Sequence, residues 1–151
     1  MRKLSACCLA LAVALVAIGC DSGTDDETSD AELFVGTWTM TAFEDGEGDR
    51  MPFFGQIANG LTATLTASGE FSIFVDYKPA SGNDPTTIPG TYTVDEGAKS
   101  LVLSPPSGQN IPFSYEFQTD TSVDLSANAA FVNGLFGTDI YQGTVTLTIE
   151  K

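Results

Sequence analysis

The side chains able to do chemistry in this chain are almost all carboxylates. Twenty Asp and Glu stand against six Lys and Arg, histidine is absent, and the three cysteines all fall within the first twenty residues. Without histidine the chain lacks the usual acid–base residue, a nucleophile triad, and a zinc or copper site of ordinary type. Carboxylates alone can hydrolyse a glycoside or hold calcium, so their spacing decides. The densest set, Glu44-Asp-Gly-Glu-Gly-Asp49, fails as a calcium loop. Counted from Asp45, Arg50 stands where the sharp turn needs Gly, and Gln56 where the bidentate Glu belongs. No motif singles out a catalytic pair, and Ser81-Gly-Asn-Asp84 does not match a phosphate loop. The expectation is a non-enzymatic protein with no metal and no cofactor, in which both acidic runs are solvated surface.

Beyond the first twenty residues only Arg50, Lys78, Lys99 and Lys151 are cationic, and the whole chain carries a net charge of −14. Such a surface repels nucleic acid and anionic lipid, which excludes both as expected partners.

One thiol does have a chemical use. Arg2 and Lys3 precede an apolar segment, Leu9 to Ile18, that is too short for a comfortable membrane span and is followed by Gly19 and Cys20. Ala17-Ile-Gly-Cys20 resembles the lipobox of bacterial lipoproteins, with Ala17 where Leu is usual and Ile18 where Ala or Ser is usual. The resemblance implies cleavage before Cys20 and acylation of its thiol with palmitate-type chains. The alternative is an ordinary signal peptide with an incidental cysteine. Against it, the domain that follows has no cysteine with which Cys20 could form a disulfide. Each buried methylene of an anchor contributes about 0.8 kcal/mol, so more than one chain is needed for durable attachment. Residues 21–32 are half acidic and carry no apolar periodicity, as in a disordered spacer with a reach of about 20 Å. The chain thus divides into a signal peptide (1–19), a lipidated Cys20 with an acidic tether (20–32), and one domain (33–151). The expected location is the cell envelope, anchored to a bacterial membrane, with the outer membrane favoured over the inner.

The domain is patterned for strands. Alternation of apolar residues with Thr runs throughout, and no segment shows a helical stripe. Eight strands are predicted at 34–43, 61–67, 71–78, 90–95, 100–104, 111–118, 122–127 and 141–150. In the second, Leu61, Ala63 and Leu65 share one face and Thr62, Thr64 and Thr66 the other; the last repeats this with Val145, Leu147 and Ile149. Each strand therefore has one dry side, as in an antiparallel sheet. Short and long connections alternate without exception, the long ones being 44–60, 79–89, 105–110 and 128–140. In an up-and-down meander that puts all long loops at one end. An eight-stranded antiparallel up-and-down β-barrel follows, either filled by side chains or holding one small ligand. A two-sheet sandwich is the structural alternative.

Val35-Gly-Thr-Trp-Thr-Met-Thr-Ala-Phe43 is similar to the Gly-x-Trp signature on the first strand of lipocalins, and closer still to short bacterial lipocalin-like domains that begin Gly-Thr-Trp. Pro89-Gly-Thr-Tyr-Thr-Val-Asp-Glu-Gly97 and the Leu65-to-Phe71 hairpin also look like those domains. The resemblance implies a calyx that takes up a small hydrophobic molecule. Two departures stand out: where typical lipocalins set an Arg against the Trp, this chain offers only Lys151, and their Thr-Asp-Tyr motif is echoed only by Thr138-Asp-Ile-Tyr141.

The expected function is membrane-anchored binding or carriage of such a molecule, the alternative being a filled-barrel scaffold or partner-binding module. Two long loops are unusually apolar, one with Met51, Phe53, Phe54 and Ile57 and the other with Phe131, Val132, Leu135 and Phe136. Neighbouring at the open end, they form either a ligand portal or a lid that folds into the core. The expected lumen residues are Trp38, Phe71, Tyr77, Tyr92, Phe113, Tyr115 and Phe117, with Trp38 closing the floor and its indole N–H seeking a buried acceptor.

Overall fold

The structure, a computed structural model, describes residues 28–106 and 108–151. The signal peptide, Cys20 and the tether up to residue 27 lie outside the described residues. Eight long strands form one closed antiparallel sheet: β1 (Gly36–Asp45), β3 (Ala58–Leu65), β4 (Glu70–Tyr77), β5 (Thr86–Asp95), β6 (Ser100–Ser104), β7 (Ile111–Thr119), β8 (Ser122–Asn128) and β9 (Thr144–Glu150). The ninth element of the sheet, β2 (Gly48–Asp49), is a two-residue arm folded back on the end of β1. Each long strand pairs with the next in sequence, and β9 returns to β1, so the barrel is an up-and-down meander rather than a sandwich. Closure leaves the long strands no free edge.

The Thr-for-apolar alternation produces this directly. On β3, Leu61, Ala63 and Leu65 are buried while Thr62 and Thr64 lie outside, and on β9 Val145, Leu147 and Ile149 are buried between outward threonines. Outward threonines meet across strands, Thr37 and Thr64 with their hydroxyls 3.2 Å apart. Register breaks at Met40/Ala42, Ala58/Gly60 and Phe117/Thr119 provide the local bends that rolling up a sheet requires. Where β4 meets β5, Gly90 stands opposite Phe71, whose ring covers it so closely that a Cβ there would lie 2.5 Å from a ring carbon.

The chain entry and two of the long connections carry three α-helices that apolar periodicity did not reveal. Helix α1 (Asp30–Phe34) precedes β1, α2 (Met51–Ile57) follows β2, and α3 (Ala129–Phe136) joins β8 to β9. Each is made by its ends rather than by a stripe. A Ser29–Glu32 capping box starts α1; Asp49 accepts from the Met51 N–H (2.8 Å) ahead of Pro52 in α2; and Asn128 caps α3, which stops at Gly137 in the left-handed region. Several boundaries expected from sequence shift: β3 starts at Ala58 rather than 61 and β5 at Thr86 rather than 90. Asp30–Glu32, read as tether, and Phe34, read as strand, belong to α1; the last strand starts at Thr144 rather than 141, because 141–143 form a connector. Among the described residues no helix is long and apolar enough to cross a membrane.

Candidate functional site

The tight end is a floor built around Trp38. Phe34 and Trp38 are fully buried, and the indole N–H donates to the Phe34 carbonyl at 2.7 Å, so the helix that enters the barrel supplies the acceptor its tryptophan needs. Tyr115 and Phe117 complete an aromatic cluster with Phe34, at centroid distances of 5.0 and 4.9 Å. Lys151 lies 4.7 Å from the Trp38 ring centroid and donates to the Leu33 carbonyl at 2.7 Å. The Tyr115 hydroxyl donates to Asp30 at 2.6 Å, and Lys99 pairs with the same carboxylate. These contacts, Lys99 first, hold the Asp30 carboxyl below the usual range, while burial, then Asp30, pushes the Tyr115 phenol well above its own. Tyr92, also on this side, donates to the Thr66 carbonyl at 2.7 Å. Of the seven expected lumen residues, Trp38, Tyr92, Tyr115 and Phe117 therefore build the floor rather than face an open space.

Above the floor the interior is packed. Phe71 and Phe113 border an internal cavity of about 50 Å³ with aliphatic side chains and Phe136. Small-molecule pockets occupy roughly 300–1,000 Å³, so this internal cavity is too small for a ligand of that class in this conformation. Tyr77, the seventh of the set, is not in the interior; it lies on the mouth.

At the loop-rich end the two apolar loops do come together. Phe53, Phe54 and Ile57 of α2 face Leu135 and Phe136 of α3 across a cleft of about 610 Å³, which Ile88, Ile140, Tyr77 and Tyr141 extend. One rim is polar, formed by Asn83, Asp84 and Thr86. Phe53 and Ile140 are each about 40 % exposed, the largest apolar surfaces here that meet water. Three expected mouth residues do not line the cleft. Val132 is fully buried because it points from α3 into the core, Met51 packs half-buried against the core, and Phe131 borders a separate groove of about 230 Å³ with Ile88, Ile111 and Leu135. Leu135 touches all three spaces, and Phe136 separates the internal cavity from the cleft. Helix α3 is thus a plug in the mouth as well as a wall of the cleft.

A polar clamp sets this geometry. The Asp45 side chain is buried, 2.8 Å from Arg50 Nε, and accepts the N–H of Glu47 (2.9 Å) and of Gln142 (3.1 Å); Arg50 also pairs with Glu47. Arg50 chiefly, with those amides, holds the Asp45 carboxyl below its ordinary range. Asn133 of α3 donates to the Tyr141 carbonyl (3.0 Å) and accepts its N–H (3.1 Å). The run 44–49, expected to be solvated acid, therefore has one buried member, which ties the β1–β2 hairpin to the 141–143 connector. Sequence patterning missed it because the register break after Met40 shifts Asp45 onto the inward face. Ile140, Tyr141 and Asp84 were missed as cleft residues too. Ile140 closed the expected 128–140 loop, Tyr141 sat at a presumed strand start, and Asp84 is an unremarkable loop acid until the fold brings it to the rim.

In comparisons with known proteins, no family model and no curated protein matches the chain.

Proposed function

We propose that this is a lipid-anchored envelope protein of lipocalin-like type that binds a small hydrophobic molecule in the mouth cleft, with Cys20 as the anchor. The single observation that carries the reading is the cleft of about 610 Å³ between α2 and α3, walled by Phe53, Phe54, Ile57, Leu135 and Phe136. Its volume falls in the range of small-molecule sites, and aromatic and aliphatic walls beside convergent polar groups are a usual make-up of such sites. The Trp38 floor with Lys151 over the indole supports the lipocalin-like part, since a cation occupies the place where typical lipocalins use an Arg. The chain enters beside the floor, so an anchored barrel presents its mouth away from the bilayer.

A second reading is favoured by the packed interior: a filled-barrel module whose mouth docks a protein. One experiment separates the two. Native mass spectrometry of protein extracted from its own membrane looks for a co-purifying small molecule, and uptake of the neutral fluorophore N-phenyl-1-naphthylamine is titrated alongside. Ligand binding predicts uptake that weakens about tenfold in the Phe53→Ser/Ile140→Ser variant, since a tenfold change is 1.4 kcal/mol and two half-exposed contacts supply about that much. No co-purifying molecule and no uptake leave only the filled-barrel module.

A further inference from the structure

The cleft is apolar on its walls and one-sided in its charge. Of the residues that line it, only Asp84 carries a formal charge at neutral pH; the remaining polar groups are the Asn83 amide, the Thr86 and Thr138 hydroxyls and the phenols of Tyr77 and Tyr141. Among the described residues the Asp84 carboxylate makes no hydrogen bond or ion pair; its backbone carbonyl accepts from the Thr86 hydroxyl (3.0 Å), which fixes the loop but leaves the carboxylate uncommitted. The two cations nearest the cleft elements are both engaged. The Lys78 ammonium donates to the Gly55 carbonyl at the end of α2, and Arg50 is held between Asp45 and Glu47. Nothing on the cleft wall therefore answers a carboxylate or phosphate head group. The chain's net charge of −14 opposes an anion further.

We infer that the mouth cleft selects cationic amphiphiles: the apolar body packs between α2 and α3, and an ammonium or protonated amine sits at the Asp84 rim. The inference rests on the reading of the cleft as a small-molecule site and narrows its ligand class. An anionic amphiphile such as a fatty acid has to leave its head group in water or beside a like charge.

The test uses three soluble probes with one apolar body, 4-phenylbutylamine, 4-phenylbutanol and 4-phenylbutyrate. Each is titrated against the full-length chain in lipid nanodiscs, with empty nanodiscs subtracted. Exposed charge contacts are each worth a factor of a few, so attraction of the amine and repulsion of the carboxylate together give about a tenfold gap. The expected order is amine, then alcohol, then carboxylate, with the gap shrinking in Asp84→Asn and unchanged in Asp120→Asn. Both variants lose one negative charge, but Asp120 lies at the opposite end of the barrel, where the Debye length of about 8 Å at physiological salt isolates it from the cleft. Equal binding of all three probes, a carboxylate preference, or a gap that survives Asp84→Asn overturns the charge selection while leaving the cleft as an apolar site. Failure of every probe, the neutral alcohol included, overturns the cleft reading itself.

Discussion

Trp38 shows how one residue type constrains its surroundings. A buried indole brings a donor that must be answered, and the Phe34 carbonyl answers it only because α1 turns the chain under the barrel. Trp38→Phe keeps an aromatic ring but leaves that buried carbonyl without its donor, which costs about 1–3 kcal/mol; a chemical-denaturation midpoint read by far-ultraviolet circular dichroism should fall accordingly. The floor and the Asp45 clamp at the mouth together make stability depend on pH at both extremes. Asp30 and Asp45 have carboxyls held below their ordinary 3.8 in the fold, so the stability they contribute is complete above that value and is lost as pH falls through the depressed values. Tyr115 is the opposite case. Its phenol is raised above 10.0 chiefly by burial, so its contribution is complete below pH 10 and is lost as pH rises beyond it. A melting-temperature profile from pH 9 to 12 should slope downward and become shallower in Tyr115→Phe. It does not become flat, because burial raises Tyr92 and Tyr141 in the same direction.

At the scale of elements, strands were readable and helices were not, for one reason. Barrel strands bury one face along their whole length, so Leu61-Thr-Ala-Thr-Leu65 spells its own conformation. The helices have five, seven and eight residues, too few turns to write a periodic stripe, and are specified by caps such as Ser29, Asn128 and Gly137. The apolar loops were legible as a pair, yet which of their side chains turn inward depends on helical phase: within α3, Val132 enters the core while Leu135 and Phe136 stop at the mouth. That division makes α3 testable as a plug. Leu135→Ala opens a path between the internal cavity, the cleft and the side groove, all three of which it borders. Core Leu→Ala changes cost about 2–5 kcal/mol, and partial exposure of Leu135 puts it at or below the lower bound. The variant should stay folded and take up more N-phenyl-1-naphthylamine than the parent chain. Unchanged uptake with an unchanged denaturation midpoint would show that Leu135 closes nothing.

The polarity of the whole molecule follows from loop lengths alone. Connections of two to four residues between paired strands permit only tight turns, so the alternation of short and long connections placed α2, α3 and the Pro79–Ser81 turn at one end and the chain entry at the other. Charge adds a second vector. The domain from residue 33 onward carries fourteen Asp and Glu against four Lys and Arg, so it has no attraction of its own for an anionic bilayer, and on the proposed reading its membrane association rests on Cys20. On the proposed reading, an anchor at Cys20 would hold the Trp38 floor toward the head groups and leave the cleft facing solution. Cys20→Ser removes the proposed acylation site without touching the capping box at Ser29 or anything the barrel packs. It is therefore expected to move the protein from the membrane to the soluble fraction on ultracentrifugation, with the melting temperature of the barrel unchanged. Continued sedimentation with membranes would place the attachment elsewhere in the chain and remove the reason for the mouth to face outward.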